Sequence, residues 1–205
     1  MATEESKVQF NISNVHVAPM LTEPEAEAPT YGTIIPVPGS VSLTLDAAGS
    51  QNTFYADGIA YWVSNTNAGY TGSWTVARFP DDLLETLWGW IKTQKNVMVE
   101  AMGSKSQPFA LLGQIDGDQY NGRFVFYKCT ASRPGLQANT TTDATNPDTQ
   151  SCNLTVSPLA HSHVIRARTR HDTDQQTYDG WFASVNTTAI TDAVAAKAAK
   201  MGGAG

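Results

Sequence analysis

The sequence predicts a mainly β fold: a β-sandwich or barrel with one main flanking α-helix, a long N-terminal loop and a C-terminal arm. Runs of alternating apolar and polar residues far outnumber runs with helical spacing. Turn-forming Gly, Pro, Asn and Asp separate them at intervals of roughly ten residues. One stretch, Trp74 to Ile91, breaks the pattern, because its period changes at a proline from two to about 3.6.

The first strand is Val8 to Ile12, where apolar and polar residues alternate. At Ser13-Asn14 the apolar frame slips by one and resumes at Val15 and Val17, which predicts a β-bulge rather than a strand end. Residues 18–38, with Pro24, Pro29, Pro36 and Pro38, read as a long loop. Its middle is acidic (Glu23, Glu25, Glu27) and its end apolar (Tyr31, Ile34, Ile35). A loop facing only solvent has no need of such apolar residues. Val41 to Asp46, Phe54 to Gly58, Ala60 to Ser64 and Trp74 to Phe79 follow as strands between turn-rich segments. Phe79 is expected on the face opposite Trp74 and Val76.

Pro80 then suits the first turn of a helix, and Asp81 and Asp82 place negative charge at its positive end. Leu83, Leu84, Leu87, Trp88 and Ile91 fall on one apolar stripe, so this helix is expected to plug one end of the β structure. Gly89 inside it would cost about 1 kcal/mol relative to Ala. Val97 to Glu100 reads as a further strand. Phe109 to Ile115 and Gly122 to Cys129 are apolar on both faces and flank a turn with Asp116-Gly117-Asp118, so that hairpin should lie centrally. Residues 136–149 read as an exposed loop, Cys152 to Val156 as a half-buried strand, and Val164 to Arg170 as a strand or arm. Ala193 to Lys200 has helical composition. The expected organisation is one β domain over residues 1–186, loop included, with an Ala- and Gly-rich tail over 187–205.

The chain has 205 residues, 19 Asp and Glu against 13 Lys and Arg, and a net charge of −6. That balance argues against tight nucleic-acid binding through an extended basic surface. No stretch has the length and apolarity of a membrane-spanning helix. The first residues lack the basic and apolar regions of a signal peptide, so folding in a cytoplasm is expected. Cys129 and Cys152 sit in strand-like runs and read as buried thiols, with a disulfide the lesser reading.

The sequence offers little reactive chemistry. His161 and His163 share a strand face, yet nothing nearby completes a metal site, and two solvent-facing histidines is the simpler reading. Asp116 and Asp118 fit paired acids or calcium ligands, but Asp-Gly-Asp at a hairpin tip is ordinary turn chemistry. Gly-x-Ser-x-Gly, phosphate-loop and HExxH motifs do not occur. The expectation is therefore no enzyme, no cofactor and no metal. Arg166, Arg168 and Arg170 alternate along one strand face. They suit a solvated edge strand, a partner in a neighbouring subunit for the acidic 23–27 loop, or phosphate contact, which the acidic background disfavours. Tyr55, Tyr61, Trp62 and Trp181 suit a sugar-stacking platform or, more economically, core and interface packing.

In order along the chain, Phe54-Tyr55-Ala56-Asp57, Asn67-x-Gly69-Tyr70-x-Gly72 and Pro80-Asp81-Asp82 before a helix form a pattern. It continues through Phe109-Ala110-Leu111-Leu112, Phe126-Tyr127-x-Cys129, Arg133-Pro134 and Tyr178-Asp179-x-Trp181-Phe182-x-x-Val185. The pattern resembles the major tail proteins of long, non-contractile bacteriophage tails, up to about Asn186. The resemblance implies a tail tube fold, a β-sandwich with a flanking helix. It implies six copies in a ring whose inner sheets join into one barrel, with rings stacked by loops and arms into a tube. The genome and the tape measure protein pass through such a tube, other tail proteins join it, and the protein resides in the virion tail. No catalytic residues come with the family. In such an assembly Glu23, Glu25, Glu27, Tyr31, Ile34, Ile35, Arg166, Arg168 and Arg170 are expected between subunits, with the three arginines away from the bore. The alternative is a carbohydrate- or receptor-binding β-module.

Overall fold

A computed structural model describes residues 4–140 and 147–202. The chain is mainly β, a sandwich-like antiparallel architecture with a flanking helix. Its elements run β1 (Gln9–Thr22), β2 (Thr30–Tyr31), β3 (Ile35–Pro36), β4 (Ser40–Ala48), β5 (Gln51–Ala56), β6 (Ile59–Asn65) and β7 (Gly69–Val76). Then come α1 (Asp81–Trp88), β8 (Ile91–Lys92), β9 (Met98–Val99), β10 (Phe109–Gly117), β11 (Gly122–Ala131), β12 (Gln150–Val156) and β13 (Arg166–Arg168). The chain closes with α2 (Gln175–Asp179), a 3-10 turn at Gly180–Phe182 and α3 (Thr188–Gly202). The main sheet has the order β2-β1-β10-β11-β12-β7-β4, with β3 added to β1 and β13 to β11.

The β10–β11 hairpin lies at the centre, as its doubly apolar pattern requires. Phe109, Leu111, Phe124 and Phe126 point to one face, and Ala110, Leu112, Val125 and Tyr127 to the other. All eight are buried. On the inner face they join Val15, Val17, Trp74, Val76, Cys152, Leu154 and Val156. On the outer face they are covered by Leu159, Trp181, Val185 and Ile190 from the C-terminal part of the chain. Strand β12 keeps the predicted alternation, with Cys152, Leu154 and Val156 buried and Asn153 and Thr155 exposed.

The slip at Ser13-Asn14 is a bulge: the β1–β10 register shifts between Ser13 and His16, and Asn14 has φ 49°. A second shift lies between Phe10 and Ile12, where Asn11 has φ 55°. Asn tolerates this left-handed backbone better than most residues. Together the two bulges keep Ile12, Val15 and Val17 on the inner cluster.

Helix α1 packs Leu83, Leu87 and Trp88 into the inner core, with Leu84 half-buried beside them. Trp88 Nε1 donates to the Ala131 and Ser132 carbonyls, which fixes the helix to the end of β11. Phe79 is buried on the same side as Trp74 and Val76, stacking edge-on between Trp74 and Trp88. The strand ends at Val76, so the chain turns before Phe79 and the expected opposite face does not apply. The helix is also shorter than predicted. Gly89 stands at φ 66° just past its end, where a left-handed residue terminates the helix and Gly is the residue that adopts it freely. Ile91 is therefore no part of the core stripe. It belongs to β8 and is 55% exposed.

The expected loop over 18–38 begins later than predicted, because β1 continues through Pro19 to Thr22. Pro19 is buried in the sheet opposite Phe109. Tyr31 and Ile34 pack on the outer cluster and Ile35 on the inner one, so the apolar end of this segment is covered by its own chain. Tyr31 also donates its hydroxyl to the Tyr127 carbonyl. The segment 178–182 is helical, and Trp181 is 4% exposed, with Nε1 donating to the Phe124 carbonyl. Helix α3 is anchored by Ile190, and its residues from Thr191 to Lys200 are exposed. Part of the 136–149 segment, residues 141–146, lies outside the described residues.

Two stability outcomes follow. Trp88→Ala removes a fully buried indole and two hydrogen bonds and should cost about 3–5 kcal/mol in denaturant unfolding. Glu23 is half-buried and bonded to Lys128 Nζ and the Ala160 amide. Burial alone raises its pKa, but the Lys128 bond, the Ala160 amide and the Lys128 charge outweigh this and hold it below the ordinary value. A depressed carboxylate pKa stabilises the fold above the unfolded value and loses that contribution as pH falls through the folded value. Glu23→Gln should thus lower stability at pH 7 by about 1 kcal/mol. The difference from the parent protein should shrink on acidification below about pH 4, read by unfolding midpoints across pH.

Candidate functional site

The β5–β6 hairpin projects from the sheet as a separate two-stranded ribbon. Its turn is Asp57-Gly58, with φ 54° and 80°, the paired left-handed residues of a type I′ turn that matches strand twist. Phe54 pairs across the ribbon with Trp62, and Thr53 with Val63. Register slips between Phe54 and Tyr55, which sets Tyr61 out of the pairing. Both faces are apolar and neither is covered. Tyr61 is 69% exposed, Tyr55 67% and Ile59 63%, with Phe54, Trp62 and Val63 also exposed. From Gln51 to Asn65 the only charged residue is Asp57. A ribbon of this kind is marginal in water unless something packs against it.

Where the ribbon leaves the sheet, the sheet is not closed. Among the described residues no strand pairs with the outer edge of β4, which carries one charge, Asp46, over nine residues. The outer edge of β1 is covered from Val15 onward by β3, by β2 and by the Val37 and Gly32 amides, so among the described residues its first part, Gln9–Asn14, has no strand partner on that side. Between β4 and the start of β1 opens a cavity of about 610 Å³. Phe10, Leu43, Leu45 and Tyr70 line it together with Arg123, Arg166 and Arg168. The Arg166 guanidinium stands 5.2 Å from the Tyr70 ring centroid, a cation–π contact.

The three-arginine stripe is only partly formed. Strand β13 stops at Arg168, so Arg166 and Arg168 share a face at the cavity while Arg170 lies beyond it, paired with Asp172 at 3.0 Å. Nor is the acidic segment a free cluster: Glu23 is held within the chain by Lys128, while Glu25 and Glu27 are exposed. Arg123, which sequence patterning gave no reason to single out, stacks on Tyr178 at 3.8 Å and Phe182 at 4.9 Å and bonds to Gln114 and the Tyr178 carbonyl. It ties the C-terminal cover to the central hairpin.

The remaining candidates have local partners. Asp116 accepts from Gln114, Asn11 and Ser13, and these bonds, Gln114 first, hold its pKa below the ordinary value. Asp118 accepts from the Lys7 and Val8 amides. His161 and His163 are exposed on a turn, not on one strand face, with His163 at φ 57°. No cluster of three His, Cys, Asp or Glu with metal-site proximity occurs among the described residues. Cys129 and Cys152 are buried free thiols, and burial pushes Cys152 up to about 12 and Cys129 higher still.

Of the four aromatics considered as a platform, Trp181 belongs to the core, while Tyr55, Tyr61 and Trp62 share the exposed ribbon. The hairpin positions Phe54, Ile59 and Val63 complete that surface; their apolar character on both strand faces was its only sequence signal. Trp62→Ser should change unfolding free energy by less than about 0.5 kcal/mol, whereas Trp181→Ala should cost about 3–5 kcal/mol. Parallel denaturant titrations of the two variants read this directly. A scan of the chain against protein-family models and a search of curated proteins find no match.

Proposed function

We propose that this chain is a structural subunit that assembles with its own copies into stacked rings, the tail tube of a long, non-contractile bacteriophage tail. The observation that carries the reading is the incompleteness of the protomer. Among the described residues the outer edge of β4 and the start of β1 lack strand partners beside an open cavity, and a ribbon holds both apolar faces in solvent. Strand addition from a neighbour satisfies the edges, and burial of the ribbon removes large apolar side chains from water. Head-to-tail contacts around a ring close, and a second contact set along the axis propagates without limit. The sequence resemblance to major tail proteins agrees with this and suggests hexameric rings.

In this reading the net charge of −6 suits a conduit for double-stranded DNA. Bore-lining cations would bind phosphate and release counterions, and so retain the genome. Carboxylates repel it over a screening length of about 8 Å at physiological salt. Arg166 and Arg168 then belong at a subunit contact, not in the bore. The tape measure protein and other tail proteins are the remaining partners, and the virion tail is the place of residence. No catalytic role is assigned. Exposure of Tyr55, Tyr61 and Trp62 on one ribbon favours a second reading, a saccharide-binding module.

Electron microscopy and sedimentation over a concentration series separate the two. The tube reading expects rings or tubes to appear as concentration rises. A protein that stays monomeric up to about 1 mM overturns it, and saturable glycan binding by that monomer establishes the alternative.

A further inference from the structure

We infer that the β5–β6 ribbon of one copy docks on the β8–β9 segment of the next, making the axial contact between successive rings. The inference rests on the self-assembly reading above. Two exposed apolar surfaces flank β7 in the chain: the ribbon ends at Asn65 and leads into Gly69, the first residue of β7, while α1 and then β8 follow its last residue, Val76.

The second surface is Ile91 to Met102. Ile91, Val97, Val99 and Met102 are all exposed, although the segment holds its own short two-stranded pairing. Gln107 and Ser104 bond to the carbonyls of Leu87 and Gly89, so the segment is fastened to the end of α1. No hydrogen bond or ion pair joins it to the ribbon among the described residues, so one copy does not cover its own patch with the other.

Charge makes the two surfaces complementary. The ribbon has one carboxylate, Asp57, and no cation. The second surface carries Lys92, Lys95 and Lys105, all exposed and without an ion-pair partner among the described residues, while its Glu100 is neutralised by Arg133 at 2.7 Å. An acidic apolar tip thus meets a basic apolar seat. Like tips repel through Asp57 and like seats through lysine, so the favoured contact is tip to seat. A contact between two different patches is heterologous and repeats with one polarity.

Mixed cross-linking tests the pairing. Ile59→Cys and Val99→Cys are made separately in the full chain, at exposed positions, and the buried native thiols stay out of the reaction. Under mild oxidation the mixture should yield a covalent dimer containing both variants, at least tenfold more than either variant alone. Asp57→Lys should leave rings that do not stack, and Lys92→Glu with Lys95→Glu in the same chain should restore stacking. If the unmodified protein forms tubes but the mixture does not cross-link, or Ile59→Cys alone cross-links equally well, the pairing is wrong and the subunit reading stands. If the unmodified protein forms neither rings nor tubes and the mixture does not cross-link, both fall.

Discussion

The structure depends on the β10–β11 hairpin having two apolar faces. A strand pair of that kind cannot border solvent on either side, so the rest of the chain must supply two covers. The inner cover is the curled sheet itself, with α1 closing one end through Trp88 and Leu87. The outer cover is assembled from the chain after β12, with Trp181 bonded directly to the hairpin backbone at Phe124. Strand β11 shares one edge between two partners, β12 along Cys129–Ala131 and β13 along Phe124–Phe126. That division brings the C-terminal cover back over the hairpin, and it sets Arg166 and Arg168 at the rim of the cavity.

What the two covers leave unfinished lies away from the centre. The outer edge of β4 and the β5–β6 ribbon take no part in enclosing the hairpin. The stable core and the unsatisfied surfaces are thus separate parts of the chain, and substitutions in one need not disturb the other.

Much of this was legible in the sequence because it was written as periodicity. The central hairpin, the half-buried alternation of β12 and the bulge at Asn14 all follow from which positions are apolar. The errors arise where a backbone choice overrides the pattern. Ile91 continues the helical stripe of Leu83 and Leu87, but Gly89 turns left-handed and ends the helix first. The segment after Val17 read as loop, yet β1 runs on through Pro19, whose missing amide is tolerated within that strand. Tyr31, Ile34 and Ile35 looked surplus to a loop because nothing local shows that they fold back on two distant clusters. Arg123 carried no signal, since a lone arginine in a strand does not reveal the two rings that will enclose it.

That arginine latches the outer cover to the hairpin. Its guanidinium stacks on Tyr178 and Phe182 and bonds to Gln114 of β10, so the helical turn over the sheet is tied to the strand pair beneath it through one side chain.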